Sequence, residues 1–511
     1  MISAYRSLVG SRFGLAVAAL VVLPCGLSVA CDAGEGVRAQ WLHNVVVLDN
    51  QVFLESEPAL ASGKLAKMDL DLYAYFRGSA GCFARDLAQA GGPGYFPTDY
   101  LREDAADVAL IGDPHLENIG SYRRSSDGLL VIDFNDFDAA TYGPFHFDVR
   151  RLALSAAIAS ASIERTMPGF AEASSRAPRV LVQAYVDEIL RLSEQGVQPR
   201  SLAEDDGELG QILGDLVKKA RVKGDDREAL GDYTEIVDGK RLLVFGEVDP
   251  AIEWSGGGYR QVVYDDTIEV VDDEERSLIE SVLVDTYPAT VADPSVLGSI
   301  AESLQIKGVG RRLGAGVASY PVRRYYVLVE GPSPSIADDW LLELKQVFDP
   351  LVVPGLEQAA GGRPFADNGE RVVAMQRALQ GAQDHDSLLG YGFAGGLTMR
   401  VRERTKYQRG VGIDRIAEKS AEGKWSAADY LDLAVWSGRL LARAHARAPK
   451  RDGALGLPAI ADALHGEGRG AGFVDETVSF VDAYAPVVVG DAERFGDLLA
   501  DYGPSLGYVR R

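Results

Sequence analysis

The sequence predicts a mixed α/β (α+β) protein with a larger helical part and a small antiparallel sheet. Short apolar runs at 108–111 and 129–132 are typical of buried strands. A loop rich in glycine, proline and serine separates the strand-like segments 325–330 and 340–345, which predicts an antiparallel pair. The apolar periodicity over 427–448 predicts a long helix, and segments 65–90, 178–192 and 370–380 are further helix candidates.

Residues 1–30 have the layout of a signal peptide. Arg6 and Arg12 precede an uncharged apolar run that ends in small residues. Cys31 follows, so we predict an exported protein whose Cys31 is lipidated and anchors it at the cell membrane or in the periplasm. The alternatives are an uncleaved membrane anchor and cleavage after Ala30 without a lipid. Residues 31–60 are predicted to form a tether, flexible over residues 32–36, and an N-terminal arm.

The composition indicates a globular protein and argues against nucleic acid as a partner. The 511 residues include 75 acidic and 52 basic side chains, which gives a formal net charge of −23, and 47% of the residues are hydrophobic. A surface of this charge repels a phosphate backbone. Beyond the predicted signal peptide and Cys31, the only cysteine in the sequence is Cys82, which excludes an internal disulfide.

Composition also divides the chain, whose length allows more than one domain. Residues 61–200 contain a cluster of acids, amides and histidines, and residues 201–290 form a charged insertion or cap. Residues 291–385 combine strand patterns with a glycine-rich turn and a lysine. Residues 386–511 are predicted to form a C-terminal helical region.

The segment 112–118 follows a predicted strand and carries Asp113 and, five residues later, Asn118. This spacing suits a loop in which the acid orients a substrate hydroxyl and the asparagine binds a metal ion, as in phosphoryl transfer. The alternative is a turn in which both side chains bond to their own backbone. His115 lies inside the segment, where it either orients the loop through a backbone hydrogen bond or acts as a catalytic base.

The second apolar run, 129–132, ends in Asp133, and Asp136 and Asp138 follow. Carboxylates gathered at the mouths of two strands repel one another and require a cation. Mg²⁺ or Mn²⁺ is the simplest cation, because both ions prefer hard oxygen ligands. We predict Asn118 and Asp133 as metal ligands and Asp136 as a further ligand. For Asp136 and Asp138 the alternative is a role as loop caps.

Residues 291–385 contain two features that suit phosphate binding. Gly314 and Gly316 belong to a glycine-rich turn whose backbone amides are candidates to cradle phosphates. Lys345 ends a strand pattern and is a candidate to pair with phosphate, with Glu370 on the following helix to hold it. The alternatives are a flexible loop and an edge-strand lysine whose stem covers apolar surface.

Several motifs in one order resemble the bacterial family called domain of unknown function 2252 (DUF2252). They include Phe76-Arg77-Gly78 and the acidic segment 133–138. The motifs that carry the resemblance lie at 76–78, 112–120, 133–138, 143–145, 148–152, 324–325, 328–331, 341–345, 371–373 and 442–446. The resemblance covers the chain from about residue 65 to about residue 448.

The central motifs also resemble the catalytic and metal loops of aminoglycoside and choline phosphotransferases, which have the protein-kinase-like fold. This resemblance implies two lobes, ATP or another phosphate donor, and Asp113 as the catalytic aspartate. It implies Asn118 and Asp133 as metal ligands and Asp148 as a structural helix cap. Lys345 and the glycine turn would form the small lobe, which here follows the catalytic loop, so the order of the lobes would be permuted.

Three functions are therefore compared. The first is a metal-dependent phosphotransferase, exported and lipid-anchored, that acts on a hydroxyl of its substrate. The second is a non-catalytic, pseudokinase-like binding protein of the cell envelope. Export away from cytoplasmic ATP favours it, and so does the segment 316–321, where two glycines of the related turn are replaced. The third is a metal-dependent phosphoester hydrolase that uses the same acids with water as the nucleophile.

Overall fold

A computed structural model describes residues 31–102, 105–124, 126–196, 199–204, 209–224, 230, 232–247, 251–254, 259–264, 266–297, 304–350, 364–381, 386–405, 407–502 and 509–510. The predicted signal peptide, residues 1–30, lies outside the described residues, as does the side chain of Cys31. Within the described ranges, no helix is both long and apolar enough to cross a membrane.

Helices make up most of the regular structure in these ranges. They are α1 (Cys31–Ser56), α2 (Pro58–Asp69), α3 (Leu72–Gly78), α4 (Ala80–Ala88), α5 (Phe145–Glu164), α6 (Phe170–Ala173), α7 (Ala177–Gln195), α8 (Gly210–Gly224), α9 (Asp273–Ser281), α10 (Asn368–Gln380), α11 (Ile413–Ala421), α12 (Ala427–Arg447), α13 (Leu457–Leu464) and α14 (Arg469–Tyr502). Ser426 begins α12 with a capping box in which its hydroxyl and the Asp429 carboxylate bond to each other's backbone N–H.

The strands are short and pair in antiparallel fashion. They are β1 (Val108–Leu110), β2 (Ile119–Arg123), β3 (Leu130–Phe134), β4 (Thr141–Gly143), β5 (Leu202–Ala203), β6 (Thr234–Val237), β7 (Lys240–Leu243), β8 (Ala251–Trp254), β9 (Tyr259–Val263), β10 (Thr267–Val270), β11 (Ile306–Leu313), β12 (Arg324–Val329), β13 (Trp340–Gln346), β14 (Gly390–Ala394), β15 (Leu397–Glu403), β16 (Arg409–Gly410) and β17 (Val509–Arg510).

The largest sheet in the described part of the chain has six strands in the order β10-β11-β12-β13-β15-β14. The predicted antiparallel pair 325–330 and 340–345 is confirmed, because Tyr325 lies opposite Leu344. The sheet extends further than the sequence predicts, since β14 and β15 come from the region assigned to C-terminal helices. β15 is a strand because Met399 and Val401 are buried on one face while arginines alternate with them on the other.

The helical body is built around α5, α7, α12 and α14. α12 packs along α7, and α14 packs against α5 and α7. Their apolar faces form one core, to which α5 contributes Leu152 and α12 contributes Leu441, both fully buried. The mixed α/β class, with a helical body and antiparallel sheets, is therefore confirmed.

The N-terminal segment differs from its prediction. Residues 32–36, expected to form a flexible tether, belong to α1. The helix docks on the body through buried Leu42 and Val45. Arg38 Nη1 donates to Asp86 Oδ1 at 2.8 Å, and Arg38 Nε donates to Asp491 Oδ1 at 3.0 Å. Burial of this face and the two ion pairs hold the segment in place.

A second sheet, in the order β16-β2-β3-β5, positions the acidic segments. β1 leads into the segment 111–118, and β3 leads into 135–140. The N–H of Asn135 donates to the carbonyl of Asn118 at 2.9 Å, which extends the β2–β3 hairpin by one pair. The two acidic segments therefore lie side by side, facing the six-stranded sheet.

Candidate functional site

The start of the loop that carries Asp113 is anchored by Asp148. The Asp148 carboxylate accepts hydrogen bonds from the N–H groups of Ile111, at 2.7 Å, and Gly112, at 3.0 Å. α5 begins before Asp148, which makes no cap hydrogen bond. The expected helix-cap role is therefore wrong, because this buried carboxylate binds the loop rather than the end of its own helix.

Two further contacts fix this anchor. His445 Nε2 lies 3.1 Å from Asp148 Oδ2, and His445 Nδ1 lies 2.8 Å from the Tyr185 hydroxyl, all three side chains being buried. Gly112 has φ 87°, and a Cβ there would lie 2.0 Å from the carbonyl oxygen of Ala139. The turn into the loop thus requires glycine.

Asp113 is oriented by Arg151. Arg151 Nε donates to Asp113 Oδ1 at 2.7 Å, and Arg151 Nη2 donates to the carbonyl of Phe76 at 3.0 Å. The guanidinium also lies 3.7 Å above the Phe76 ring. Burial raises the pKa of Asp113 above its ordinary value, against the opposing effect of Arg151. The result is a fixed carboxylate with an increased affinity for a proton.

His115 forms part of the cavity wall next to Asp113. Its ring lies edge-on to Tyr73, and Nδ1 has no hydrogen-bond partner within the described residues. Burial lowers the pKa of His115 well below its ordinary value, and the nearby Arg77 and Arg151 lower it further. The imidazole is therefore neutral, and the expected backbone hydrogen bond is not made by Nδ1.

Asn118 ends the loop in a fixed orientation. The side-chain Nδ2 of Asn118 donates to the backbone carbonyl of Asp113 at 2.8 Å, and the backbone carbonyl of Asn118 accepts from the N–H of Asn135. The backbone N–H of Asn118 donates to the carbonyl of His115 at 2.9 Å. Because the Asn118 amide nitrogen is engaged with the loop, its Oδ1 is the atom left to serve as a metal ligand.

Asp133 does not face the cavities. It lies within β3, where Arg447 Nη2 donates to Oδ2 at 2.7 Å and Ser201 Oγ donates to the same oxygen at 2.6 Å. The backbone N–H of Phe134 donates to Oδ1 at 2.9 Å. Both carboxylate oxygens are thus engaged in the interior. This geometry does not support Asp133 as a metal ligand, and Asp136 remains the acidic candidate at the cavities.

Asp136 and Asp138 reach the cavity from the loop after β3. Lys345 Nζ lies 3.6 Å from Asp136 Oδ2 and forms a closer ion pair with Asp138. Burial opposes ionisation of Asp136, but the charges of Lys345, Arg400 and Arg402 outweigh it, and its pKa lies below the ordinary value. Asp136 is therefore an ionised oxygen donor.

Glu370 does not hold Lys345, so that expectation is wrong. The Glu370 carboxylate accepts a hydrogen bond from the N–H of Ala366 at 2.6 Å, at the start of α10. Asp138 occupies the place beside Lys345 instead. The physical reason is position: Glu370 lies in the first turn of α10, and its side chain bonds the backbone leading into that turn.

The glycine turn joins β11 to β12. Gly314 and Gly316 have φ 78° and 81°, which favours glycine at both positions. Their carbonyls face Lys67, whose Nζ donates to the Gly314 oxygen at 2.6 Å and the Gly316 oxygen at 3.4 Å. Gly316 and Ser319 line a cavity, so the turn forms one wall of the site.

Two cavities meet at these residues. The first, the Asp113 cavity, has a volume of about 850 Å³ and is lined by Asp113, His115, α1 and part of the glycine turn. The second, the arginine cavity, has a volume of about 780 Å³. Five residues line both cavities, namely Arg77, Asn118, Asp136, Ser319 and Lys345. The boundary between the cavities therefore carries an amide, a carboxylate and an ammonium.

The arginine cavity is rich in cations, although the whole chain is acidic. Its cationic lining residues are Arg77, Arg123, Arg124, Arg312, Arg324, Lys345, Arg400, Arg402, Arg404 and Arg409. Its acidic lining residues are Glu117, Asp127, Asp136, Glu343, Asp386 and Glu403. None of the motifs in the sequence predicts these arginines as site residues. The alternation of Arg400 and Arg402 with buried apolar residues was the signal, because it places both charges on one face of β15.

The boundary between the cavities contains two candidate oxygen ligands for a metal ion. Within the described ranges, no group of three or more His, Cys, Asp or Glu side chains is placed to hold a metal ion by itself. Asn118 Oδ1 and the ionised Asp136 carboxylate provide two hard oxygen donors at the edge of both cavities. Mg²⁺ is commonly bound by one or two carboxylates together with substrate phosphates and waters.

Comparison with known proteins identifies a family but no characterised relative. Residues 56–497 match the model of a family described as an uncharacterised protein conserved in bacteria, DUF2252. The chain belongs to that family. No curated protein and no solved structure matches the chain.

Proposed function

We propose that this member of the DUF2252 family is a metal-dependent phosphotransferase. The donor binds in the arginine cavity, and the hydroxyl that accepts the phosphoryl group binds in the Asp113 cavity. The observation that carries the proposal is the shared boundary, because Asn118, Asp136 and Lys345 line both cavities. A phosphoryl group at this boundary would contact all three side chains.

Asp113 is the proposed base. In the transfer, the substrate oxygen forms a bond to phosphorus, the bond between phosphorus and the donor oxygen breaks, and the hydroxyl proton moves to the Asp113 carboxylate. Burial raises the pKa of Asp113, which increases the affinity of this carboxylate for the hydroxyl proton. Arg151 donates to Oδ1 of Asp113 and so keeps the carboxylate in one orientation.

Asn118 and Asp136 would hold the Mg²⁺ or Mn²⁺ ion. When bound, the ion neutralises charge on the phosphoryl oxygens. Lys345 contributes a further positive charge at the same boundary, and Asp138 fixes its position. The neutral His115 closes the wall beside Asp113 without adding charge.

The order of elements in the six-stranded sheet supports the two-lobe, kinase-like form of the proposal. A glycine turn follows β11, Lys345 lies on β13, two strands later, and α10 follows. Protein kinases use a glycine-rich loop, a lysine on the third strand and a glutamate on the next helix. Here Asp138 takes the place of that glutamate beside Lys345.

A spatial contact supports the permuted order of lobes. The chain leaves the six-stranded sheet, passes through α12 and reaches Pro449, whose carbonyl accepts from the N–H of Ala109 at 2.9 Å. Val108 and Lys450 form a β-bridge at the same place. The end of α12 therefore lies beside β1, which leads to Asp113. If the chain ran directly from the end of α12 into β1, the loop with Asp113 would follow the six-stranded sheet in sequence, as the catalytic loop follows the small lobe in kinases.

The test uses the purified full-length chain with Mg²⁺ and either ATP or pyrophosphate, because water serves as a default acceptor. Phosphorus NMR identifies the products. When hydroxyl compounds are added, a phosphate ester shows transfer, whereas orthophosphate alone shows hydrolysis. Asp113→Asn should reduce turnover by about 10²–10⁴-fold. Asp452→Asn, an exposed control, should leave it unchanged. Native turnover in Asp113→Asn would refute the assignment of the base.

A binding protein without turnover is the second candidate function. The contact of Lys345 with Asp136 favours it, because this cation already neutralises the carboxylate that would bind the metal ion. Binding of a phosphate compound without any product, with and without Mg²⁺ or Mn²⁺, would support this candidate over the phosphotransferase.

The proposal includes export and a lipid anchor at Cys31. The basic start, the apolar run and the cysteine at position 31 support it. Cys31→Ser in the native cell should move the protein from the membrane fraction to the soluble envelope fraction. Unchanged fractionation of this variant would refute the anchor while leaving the phosphotransferase proposal intact.

A further inference from the structure

The floor of the arginine cavity is a cluster of guanidinium groups around one buried carboxylate, Glu343. Arg402 Nη2 lies 2.8 Å and Arg400 Nη2 3.1 Å from Glu343 Oε1. Arg312 Nη1 lies 3.8 Å and Arg324 Nε 4.0 Å from Glu343 Oε2. We call Glu343 and these four arginines the Glu343 cluster. Burial opposes ionisation of Glu343, but the arginines hold its pKa well below the ordinary value.

One carboxylate cannot neutralise four guanidinium groups. Arg312 has a second partner in Asp266, and Arg400 has one in Asp138 at 3.4 Å. Arg324 lies 4.0 Å from Glu343 and donates to the Ser319 hydroxyl at 3.2 Å. The cluster therefore keeps an excess of positive charge on the cavity floor, and like charges at this spacing repel unless an anion joins them.

Buried polar atoms without partners point the same way. Within the described residues, the Nε atoms of Arg77, Arg400 and Arg409 are buried and make no hydrogen bond, and all three residues line the arginine cavity. A buried donor without a partner is destabilising, so three of them around one cavity indicate that their partner is a ligand.

We infer that the Glu343 cluster binds the linked phosphates of the donor, a compound with two or more phosphoryl groups in a chain. This inference rests on the proposed function. The arginines lie on β11, β12 and β15, with β13 between the last two, and neighbouring strands lie about 4.8 Å apart. Such a row is wider than one phosphate, and guanidinium groups pair with phosphate oxygens in bidentate fashion.

Nucleoside triphosphates and inorganic polyphosphates share this chemistry, and the titration separates them. The full-length chain is titrated by calorimetry with pyrophosphate, tripolyphosphate, ATP and orthophosphate, each with Mg²⁺. We expect the linked phosphates to bind and orthophosphate to bind much more weakly. Tighter binding of ATP than of tripolyphosphate would identify a nucleotide donor, and equal binding would identify an inorganic chain.

Arg324→Gln is the main variant, because Arg324 makes the longest contact with Glu343 and its loss should disturb folding least. Its affinity for tripolyphosphate should fall by about tenfold or more. Arg402→Gln is the second variant. Thermal unfolding checks that both variants are folded. Arg179→Gln, which removes a half-exposed arginine paired with Asp475 on the helical body, should bind as the native chain does.

Three results would overturn the inference. They are equal binding of orthophosphate and pyrophosphate, binding of ATP without binding of either inorganic chain, and native affinity in folded Arg324→Gln and Arg402→Gln variants. Failure of the proposed function is a separate outcome. If linked phosphates bind in native and Asp113→Asn chains but neither turns them over, the cluster stands and the phosphotransferase proposal falls.

Discussion

Lys345 on β13 forms an ion pair with Asp138, which lies just after β3. The two residues are more than two hundred positions apart in the sequence. This contact joins the six-stranded sheet to the loop beside Asp113. It also places the ammonium group near Asp136, at the boundary of the two cavities. The sheet and the loop beside Asp113 are therefore joined by a charged contact.

Lys345→Met should remove both the charge at the boundary and this contact. Loss of a cation that stabilises transferring phosphoryl oxygens should reduce donor turnover by about 10²-fold or more. The free energy of unfolding should fall by about 1–3 kcal/mol, because Asp138 loses its closer cationic partner and keeps only Arg400. Lys307→Met is the matched control, since Lys307 on β11 pairs with Asp339, just before β13, and lies outside the two cavities. Equal turnover in the two variants would contradict the role of Lys345.

His445→Phe tests the anchor of the catalytic loop. Asp148 would lose its His445 partner while keeping the N–H groups of Ile111 and Gly112. We expect a loss of about 1–3 kcal/mol in unfolding free energy. We also expect a lower kcat with an unchanged KM for the donor, because the loop positions Asp113 and not the donor. His445→Gln should recover part of kcat. A change confined to the donor KM would show that His445 acts elsewhere.

Gly112→Ala should destabilise the protein through both backbone strain and a clash. The position has φ 87°, and the new Cβ would approach the Ala139 oxygen to 2.0 Å. Gly169→Ala provides the control, because Gly169 has the same φ and no atom within 4 Å of its Cβ. Strain alone costs about 1–2 kcal/mol, so Gly112→Ala should cost clearly more in urea unfolding. Equal costs would show that the contact with Ala139 relaxes freely.

Glu403 gives a pH dependence with a definite sign. Burial and the neighbouring Asp386 raise the pKa of Glu403 from 4.5 to about 8. The folded state therefore binds the proton more tightly than the unfolded state, and stability falls as the pH rises from about 4.5 to about 8. Glu403→Gln should reduce that fall, measured by urea unfolding at pH 5, 7 and 9. A parallel pH profile for both proteins would contradict the raised pKa.

The sequence predicts the local part of the site well. Asp113, His115 and Asn118 lie within one short loop after a strand, so their proximity follows from spacing alone. Spacing alone does not decide whether Asp133 or Asp136 faces the cavities. That depends on β3 continuing to Phe134 and on Arg447, which binds Asp133 from a distant helix. Contacts between residues far apart in sequence leave no signal in the local pattern.

The same limit explains the partner of Lys345 and the arginine cavity. Glu370 is the nearest acid on the helix after Lys345, but the loop carrying Asp138 folds against the sheet from the other part of the chain. For the arginines, alternation on β15 predicts a charged face, and the strand order then brings that face next to Glu343. The local pattern reveals the charged face, and the sheet topology determines what it encloses.

The phosphotransferase proposal is tested most directly by the Mg²⁺ dependence of donor turnover in Asp136→Asn compared with Asp133→Asn. We expect Asp136→Asn to lose metal-dependent turnover and to be destabilised less than Asp133→Asn, because the Asp136 side chain is partly exposed. We expect Asp133→Asn to be destabilised more, because buried Arg447 loses its charged partner. Native turnover with native Mg²⁺ dependence in Asp136→Asn would contradict the proposal.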